Sequence, residues 1–392
     1  MKKAKKFLKI LTSALILGFL MSFLKHNGYW LKLINGFKAI NIFLYLLFII
    51  LFVFLNILIH EFGHLFSFVF SKIRIRAIFV LIFSYFKTGN NKKHFKIYFK
   101  NIKMFGGFVV PSLPDFENDQ QYNKVTKKFR IALLMGPITS ILFFIITITI
   151  FLLQLFIFNN PFLLGLFAIL AIITLLMTII IMISSTFHTE ELYGDFVAYK
   201  KMKEDERFAL VQMTQYTNFA LDENKNANIY LFNKIEQYFL KNEPSYNTFD
   251  TALISYYINI YLFNDNLTLN EQLFSNYNIR TLAARNSREL AYLISAYYYK
   301  INNPEKAFEY FHLVNLTYNS YLDPFQKELL QKQYEHLLNV VDNTKYFEAN
   351  EESILNQLGL LRPIFLPEEV LSAFYQQLPF VNYSCQLNFE EE

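Results

Sequence analysis

From Ile40 to Phe70 this chain carries no lysine or arginine and a single acid, Glu61, in a run otherwise dominated by Ile, Leu, Phe and Val. In hydrocarbon every backbone N–H and C=O must find its partner within the protein, so a run of this length and polarity is predicted to be a spanning helix. Three more runs read the same way: Phe7 to Leu24, Ile131 to Ile157, and Phe162 to about Ser185. Hydrophobic residues make up 54% of the 392 positions, 45 of them Phe, and the mean hydropathy is +0.23. That balance fits a membrane protein with a sizeable soluble part. The expected fold class is an all-α polytopic membrane protein with a small membrane-associated β-hairpin, followed by a soluble α-helical, tetratricopeptide-like domain.

Charge orients the helices. The opening Met1-Lys2-Lys3-Ala4-Lys5-Lys6 precedes an apolar run as long as a spanning helix, and no small-x-small cleavage site precedes Lys25-His26-Asn27-Gly28. We therefore expect a retained first helix with its lysines in the cytoplasm, followed by an outer loop in which Tyr29 and Trp30 sit at the interface. The second span starts near Ala39 and exits at Ser71-Lys72-Ile73-Arg74-Ile75-Arg76. Lys124, Lys127, Lys128 and Arg130 anchor the third span, and Asn159-Asn160-Pro161 makes a tight outer turn before the fourth. Positive charge and helix count agree on a multi-pass protein of the cell membrane with a cytoplasmic C-terminal domain. The net charge of +5 lies beside the apolar runs, which speaks for membrane orientation and against a nucleic-acid surface. The lone Cys385 excludes intramolecular disulfides and Cys-rich zinc sites.

Near its cytoplasmic end the second span carries His60-Glu61-Phe62-Gly63-His64. A helix turns about 100° per residue, so histidines four apart project from one face and can grip one metal ion. Two neutral imidazoles suit zinc, and the adjacent Glu61 is placed to take a proton from the attacking water rather than to bind the metal. A carboxylate in so apolar a run is costly unless it has a task. A catalytic zinc commonly takes three protein ligands, and the fourth span delivers four candidates for the third: His188, Glu190, Glu191 and Asp195.

Between the second and third spans, Ala77 to Phe86 and Phe95 to Phe99 read as strands around a Gly89-Asn90-Asn91 turn, too short to cross a bilayer. Gly106 and Gly107 follow, where another backbone can approach closely. Gly136-Pro137 is expected in the first turns of the third span, where a missing N–H costs little. Beyond Lys200 the composition turns soluble. Leu253-Ile254-Ser255-Tyr256-Tyr257 is echoed by Leu293-Ile294-Ser295-Ala296-Tyr297, and Ala307 and Phe311 give the A-x3-F spacing of a helical repeat.

Residues 39 to about 199 resemble the site-2 protease family of intramembrane zinc metalloproteases, through His60-Glu61-Phe62-Gly63-His64 in a spanning helix, Gly106-Gly107-Phe108-Val109 after the strands, and Gly136-Pro137 in the next helix. The resemblance implies zinc held by His60, His64 and Asp195, Glu61 as general base, and a Gly106-Gly107 segment that pairs with an extended, membrane-spanning or membrane-tethered peptide substrate. Two departures stand out. Ser140 occupies a position where the family often has Asn, and no Asn-x-x-Pro stretch precedes Tyr193-Gly194-Asp195. The expected organisation is an N-terminal helix and outer loop over 1–38, a catalytic core over 39–199 and a cytoplasmic helical domain over 200–392, the last a surface for a protein partner. The competing reading is a non-catalytic membrane scaffold that recruits a partner through that domain.

Overall fold

The computed structural model describes residues 18–19, 21–87, 92–98, 106–189, 193–218, 224–275, 277, 282, 287–316, 323–358 and 367–378. It divides into two compact units, one formed by residues 1–67 and 132–197 and the other by residues 68–131 and 198–392.

The first unit is helical. It comprises α1 (Tyr29–Lys38), most of α2 (Ile42–Phe70), the later part of α3 (Asp119–Phe156), and α4 (Pro161–Thr186). Three helices among the described residues, α2, α3 and α4, are long and apolar enough to cross a membrane, where four were expected. The remaining candidate, Phe7 to Leu24, lies largely outside the described residues. The expected outer loop is in part a helix, α1, which packs along α4. Two glycines bring them together: a Cβ on Gly165 would stand 2.2 Å from the Gly36 carbonyl oxygen. Lys32 then donates from Nζ to the Leu155 carbonyl at 2.9 Å, serving one of the acceptors that the end of α3 leaves unpaired. Ile40, Phe52, Ile169 and Leu170 form the buried core between these elements.

Two polar features survive in this apolar setting because each is satisfied. Asn56, buried one turn before His60, donates from Nδ2 to Phe52 O at 2.7 Å and to Thr174 Oγ1 at 3.2 Å, joining α2 to α4. Asn160 caps α4, its Oδ1 accepting from Leu163 N at 3.1 Å, with Pro161 opening the helix as the turn sequence suggested.

Pro137 is not near a helix start. Because α3 begins at Asp119, the proline falls deep inside it. The polar stretch before Ile131 is helical since Tyr122, Val125, Thr126 and Phe129 recur at helical spacing and all are buried. A proline there removes the N–H that would have bonded the Leu133 carbonyl.

The second unit contains a sheet and the remaining helices. In place of a hairpin there is a four-stranded antiparallel sheet of β1 (Arg74–Val80), β2 (Phe83–Lys87), β3 (Lys93–Ile97) and β4 (Gly107–Ser112), ordered β3-β2-β1-β4. The single strand expected over Ala77 to Phe86 is broken at Leu81, which adopts a left-handed φ of 51° and turns the chain so that Val80 pairs with Phe83. The Gly89-Asn90-Asn91 turn lies outside the described residues. One face of the sheet buries Ala77, Phe79, Phe86 and Val110 against Phe108 and Tyr216.

Among the described residues the helices after Thr186 are α5 (Asp195–Glu204), α6 (Glu206–Asn218), α7 (Lys225–Phe239), α8 (Thr248–Leu262), α9 (Arg288–Lys300), α10 (Pro304–Leu316), α11 (Pro324–Leu337), α12 (Thr344–Ala349), α13 (Glu351–Gln357) and α14 (Pro367–Tyr375). The A-x3-F spacing marks a packed helical hairpin: Ala307 and Phe311 of α10 are buried, and Ser295 of α9 donates to the Ala307 carbonyl at 2.6 Å. The earlier echo on α8 is followed by a 3-10 turn at Glu271–Leu273. Between sheet and helices, Asp115 accepts from the Ala227 backbone at 2.7 Å and Asp119 accepts from Lys234 Nζ at 2.8 Å and from the Tyr230 hydroxyl.

Replacing Gly165 by Val drives two methyls into the Gly36 backbone. We expect a loss of about 1–3 kcal/mol, the usual result of overpacking. Equilibrium unfolding in detergent micelles measures it, with bound metal unchanged because α1 carries no ligand.

Candidate metal centre

The HExxH helix behaves as its spacing demands. His60 and His64 lie on one face of α2, with their Nε2 atoms 3.3 Å apart. Asp195, the first residue of α5, brings Oδ2 to 3.4 Å from His60 Nε2 and 3.7 Å from His64 Nε2. These three residues form a cluster whose donor atoms all lie within 4.8 Å of one another.

The spacing can be tested against a metal. Donors about 2.0–2.2 Å from a tetrahedral zinc stand roughly 3.3–3.5 Å from each other. The two shorter separations match this, and the third exceeds it by a few tenths of an ångström. A mixed imidazole and carboxylate set is also what zinc takes at catalytic centres, leaving a fourth position open. The residues present therefore fit a zinc ion.

Hydrogen bonds on the far side of each ring support the same conclusion. His64 Nδ1 lies 2.8 Å from the Ala132 carbonyl. A carbonyl can only accept, so Nδ1 must carry the proton and Nε2 is left with its lone pair facing the cluster. His60 Nδ1 lies 3.1 Å from Ser140 Oγ, and Ser140 Oγ lies 3.2 Å from the Gly136 carbonyl. Both partners belong to α3, so α3 orients the histidines of α2.

Glycine allows that proximity. A Cβ on Gly136 would stand 2.3 Å from His64 Nε2 and 2.9 Å from His60 Cε1. A Cβ on Gly63 would stand 2.4 Å from the Met135 carbonyl. With no side chain at either position, the backbones of α2 and α3 can approach until the imidazoles rest against α3. Gly194 plays a similar part at the carboxylate: its Cβ would meet Ser184 O at 2.1 Å, and its N–H donates to Phe187 O at 2.9 Å, so the residue before Asp195 lies against the end of α4.

Glu61 is 4% exposed, and its Oε2 has no hydrogen-bond partner among the described residues. An orphaned carboxylate oxygen in an apolar helix is expensive and marks a group with a chemical role. Of the alternatives for the third ligand, His188 is exposed, forms an isolated bridge with Tyr193 and stacks on its ring, outside the cluster. Glu190 and Glu191 lie outside the described residues. Gly106 has open space where its Cβ would be, and Gly107 opens β4, which among the described residues pairs only with β1.

Comparison with known proteins agrees with this geometry. The model of peptidase family M50, the site-2 protease family, matches residues 47–358. The chain belongs to peptidase family M50. No curated protein and no solved structure matches it. M50 membership makes it a membrane metalloprotease, and the match runs well past residue 199, through the helices of the second unit up to α13. Sequence reasoning named the three cluster residues and Glu61 but missed the Ala132 carbonyl, the structural use of Gly63 and Gly194, and the hydroxyl of Ser140, which it noted only as a departure from the M50 pattern. The short residues Gly63 and Gly136 on adjacent spans were the available signal.

Removing the carboxylate should separate the third-ligand candidates. Asp195→Ala leaves two imidazoles, and metal should be lost during purification, while His188→Ala and the Glu190→Ala and Glu191→Ala variants retain it. Metal content of the purified proteins by atomic emission decides between them.

Proposed function

We propose that this chain is a zinc endopeptidase that hydrolyses peptide bonds in membrane-spanning or membrane-tethered substrates, with His60, His64 and Asp195 as metal ligands and Glu61 as general base. The observation that carries this reading is the convergence of His60 Nε2, His64 Nε2 and Asp195 Oδ2 beside a buried carboxylate. Zinc, when bound, supplies the Lewis acidity that polarises a carbonyl and makes water nucleophilic near neutral pH.

The residues divide the remaining work. His60 and His64 direct their Nε2 atoms to one point, held from behind by α3. Asp195 adds a negative charge that offsets part of the ion's. Glu61 accepts the proton released from the attacking water at a carboxylate oxygen and returns it to the leaving amide nitrogen, so the same group acts first as base and then as acid. The free Oε2 is the acceptor that this step requires.

A helical substrate hides its carbonyls in its own hydrogen bonds, and must be extended before it can be cut. The reading assigns that task to β4, whose edge opposite β1 carries no strand among the described residues. An extended peptide can add to such an edge by main-chain hydrogen bonds, and Gly106 and Gly107 leave room for it. In the orientation favoured by the lysines and arginines, the helices after Lys200 are cytoplasmic and offer a surface for a protein partner.

Glu61→Gln keeps the shape of the side chain and removes its basicity. Zinc content should stay at the wild-type level while cleavage of a membrane substrate falls by about 10²–10⁴-fold, the usual contribution of general acid–base catalysis. A fully active variant would exclude Glu61 as the general base, whereas a wild-type protein that cleaves no membrane substrate would leave the scaffold reading in its place.

Val at both Gly106 and Gly107 should raise KM for a membrane peptide well before it alters kcat or metal content, because only the approach of the substrate backbone is blocked. Unchanged steady-state kinetics would reduce this segment to a bend.

A further inference from the structure

We propose that the edge of the sheet formed by β2 and β3 is a binding surface for anionic phospholipid headgroups, in which Lys87 and Lys93 meet the phosphates while Phe95 and Ile97 enter the apolar boundary beneath them. The proposal goes beyond the peptidase reading and does not depend on the metal centre.

Charge is unevenly placed along the chain. Between Glu61 and Asp115 there are nine lysines and arginines and no acid, whereas over the rest of the chain acids outnumber bases. Cations near the ends of a spanning helix set its orientation, an influence confined to about 15–20 residues from the helix. Lys93 and Lys96 lie beyond that range from both Phe70, where α2 ends, and Asp119, where α3 begins. Orientation therefore does not account for them.

The sheet brings these residues into a pattern. β2 and β3 pair as Phe83↔Ile97, Tyr85↔Phe95 and Lys87↔Lys93, alternating with Ser84↔Lys96 and Phe86↔His94. Side chains in a strand point to alternate faces, so the first set shares one face and the second set the other. The second face is covered, since Phe86 lies in the core with Ala77, Phe79 and Val110 against Tyr216. The first is open along β3. Phe95 is 65% exposed and Ile97 49%, the Phe83 and Phe95 rings stack at 6.1 Å, and Lys93 is exposed on the same face. A strand that offers two large apolar side chains and a cation on one open face is the sheet form of an interfacial amphipathic element. Lys93 and Ile97 stand about 13 Å apart along the strand. That span lets the ammonium stay among phosphates while the isoleucine reaches the acyl boundary.

The chain also ties the sheet to the bilayer. Arg74 opens β1 just past Phe70, a reach of at most about 14 Å from the end of α2. In the same unit Phe68 of α2 and Phe129 of α3 bring their rings to 5.6 Å, and Lys128 Nζ donates to Ser71 O at 2.6 Å. Close to an anionic membrane surface each lysine or arginine gains about fivefold in binding. An acidic stretch of peptide would match the charge alone, and leave Phe95 and Ile97 without a role. β3 occupies the edge of the sheet opposite β4, so bound lipid leaves the β4 edge open.

The test uses the full-length protein carrying Trp30→Phe, which removes its single tryptophan, and Phe95→Trp. It is placed in nanodiscs of phosphatidylcholine alone or mixed with phosphatidylglycerol. Tryptophan emission reports depth, and quenching by bromines carried on one lipid or the other reports headgroup preference. We expect blue-shifted emission in the mixed discs, stronger quenching from brominated phosphatidylglycerol than from brominated phosphatidylcholine at equal mole fraction, and loss of that preference at high salt. Lys87→Gln and Lys93→Gln should each lower the preference by about fivefold, and Lys87→Arg with Lys93→Arg should retain it. Wild-type preference in the glutamine variants overturns the proposal. Equal loss in the glutamine and arginine variants does so too, since charge would then not be the cause. A tryptophan that stays open to aqueous iodide in both kinds of disc, and shifts its emission only when an acidic peptide is added, assigns the surface to peptides and sinks the lipid assignment. None of these readouts requires cleavage, so a failure of the protease reading is seen separately.

Discussion

The contact on which the centre depends is the approach of two helix backbones at Gly63 and Gly136. The contacts that orient both histidines run from α3 to α2 across this seam. A side chain on either glycine would occupy the volume now filled by a carbonyl or an imidazole. Hydrophobic burial cannot drive helices together in lipid, which is as apolar as their side chains, so small residues and interhelical hydrogen bonds take over. The same solution recurs at Gly36 and Gly165, and at Asn56 with Thr174.

The sequence made some of this legible because some of it is periodic. His60 and His64 face one way for the same reason that any residues four apart on a helix do, and the apolar runs of α2, α3 and α4 follow from length and composition. Asp195 lies on a distant part of the chain, where spacing has nothing to say. Several acids stood near it, and only resemblance singled it out before the geometry did. The sheet was misread at Leu81 because the chain turns there without glycine, asparagine or proline, on a leucine in the left-handed region. Pro137 was misplaced because the residues before Ile131 look like a loop by polarity, while their buried positions keep a helical period.

The two units divide the chain after residues 67, 131 and 197. The strands and the late helices belong to one unit, within which Asp115 and Asp119 link to α7. The family match continues through these helices to residue 358.

The bond from His64 to the Ala132 carbonyl has a genetic consequence. Every amino acid that tolerates a helix offers the same carbonyl at position 132, so no substitution there deletes the acceptor; a scan of side chains would pass over it without a signal. Behind His60 stands the Ser140 hydroxyl, a side chain that a single codon change can remove. The two halves of one metal grip are therefore exposed to mutation very differently, one held by what the code can alter and the other by the peptide bond itself.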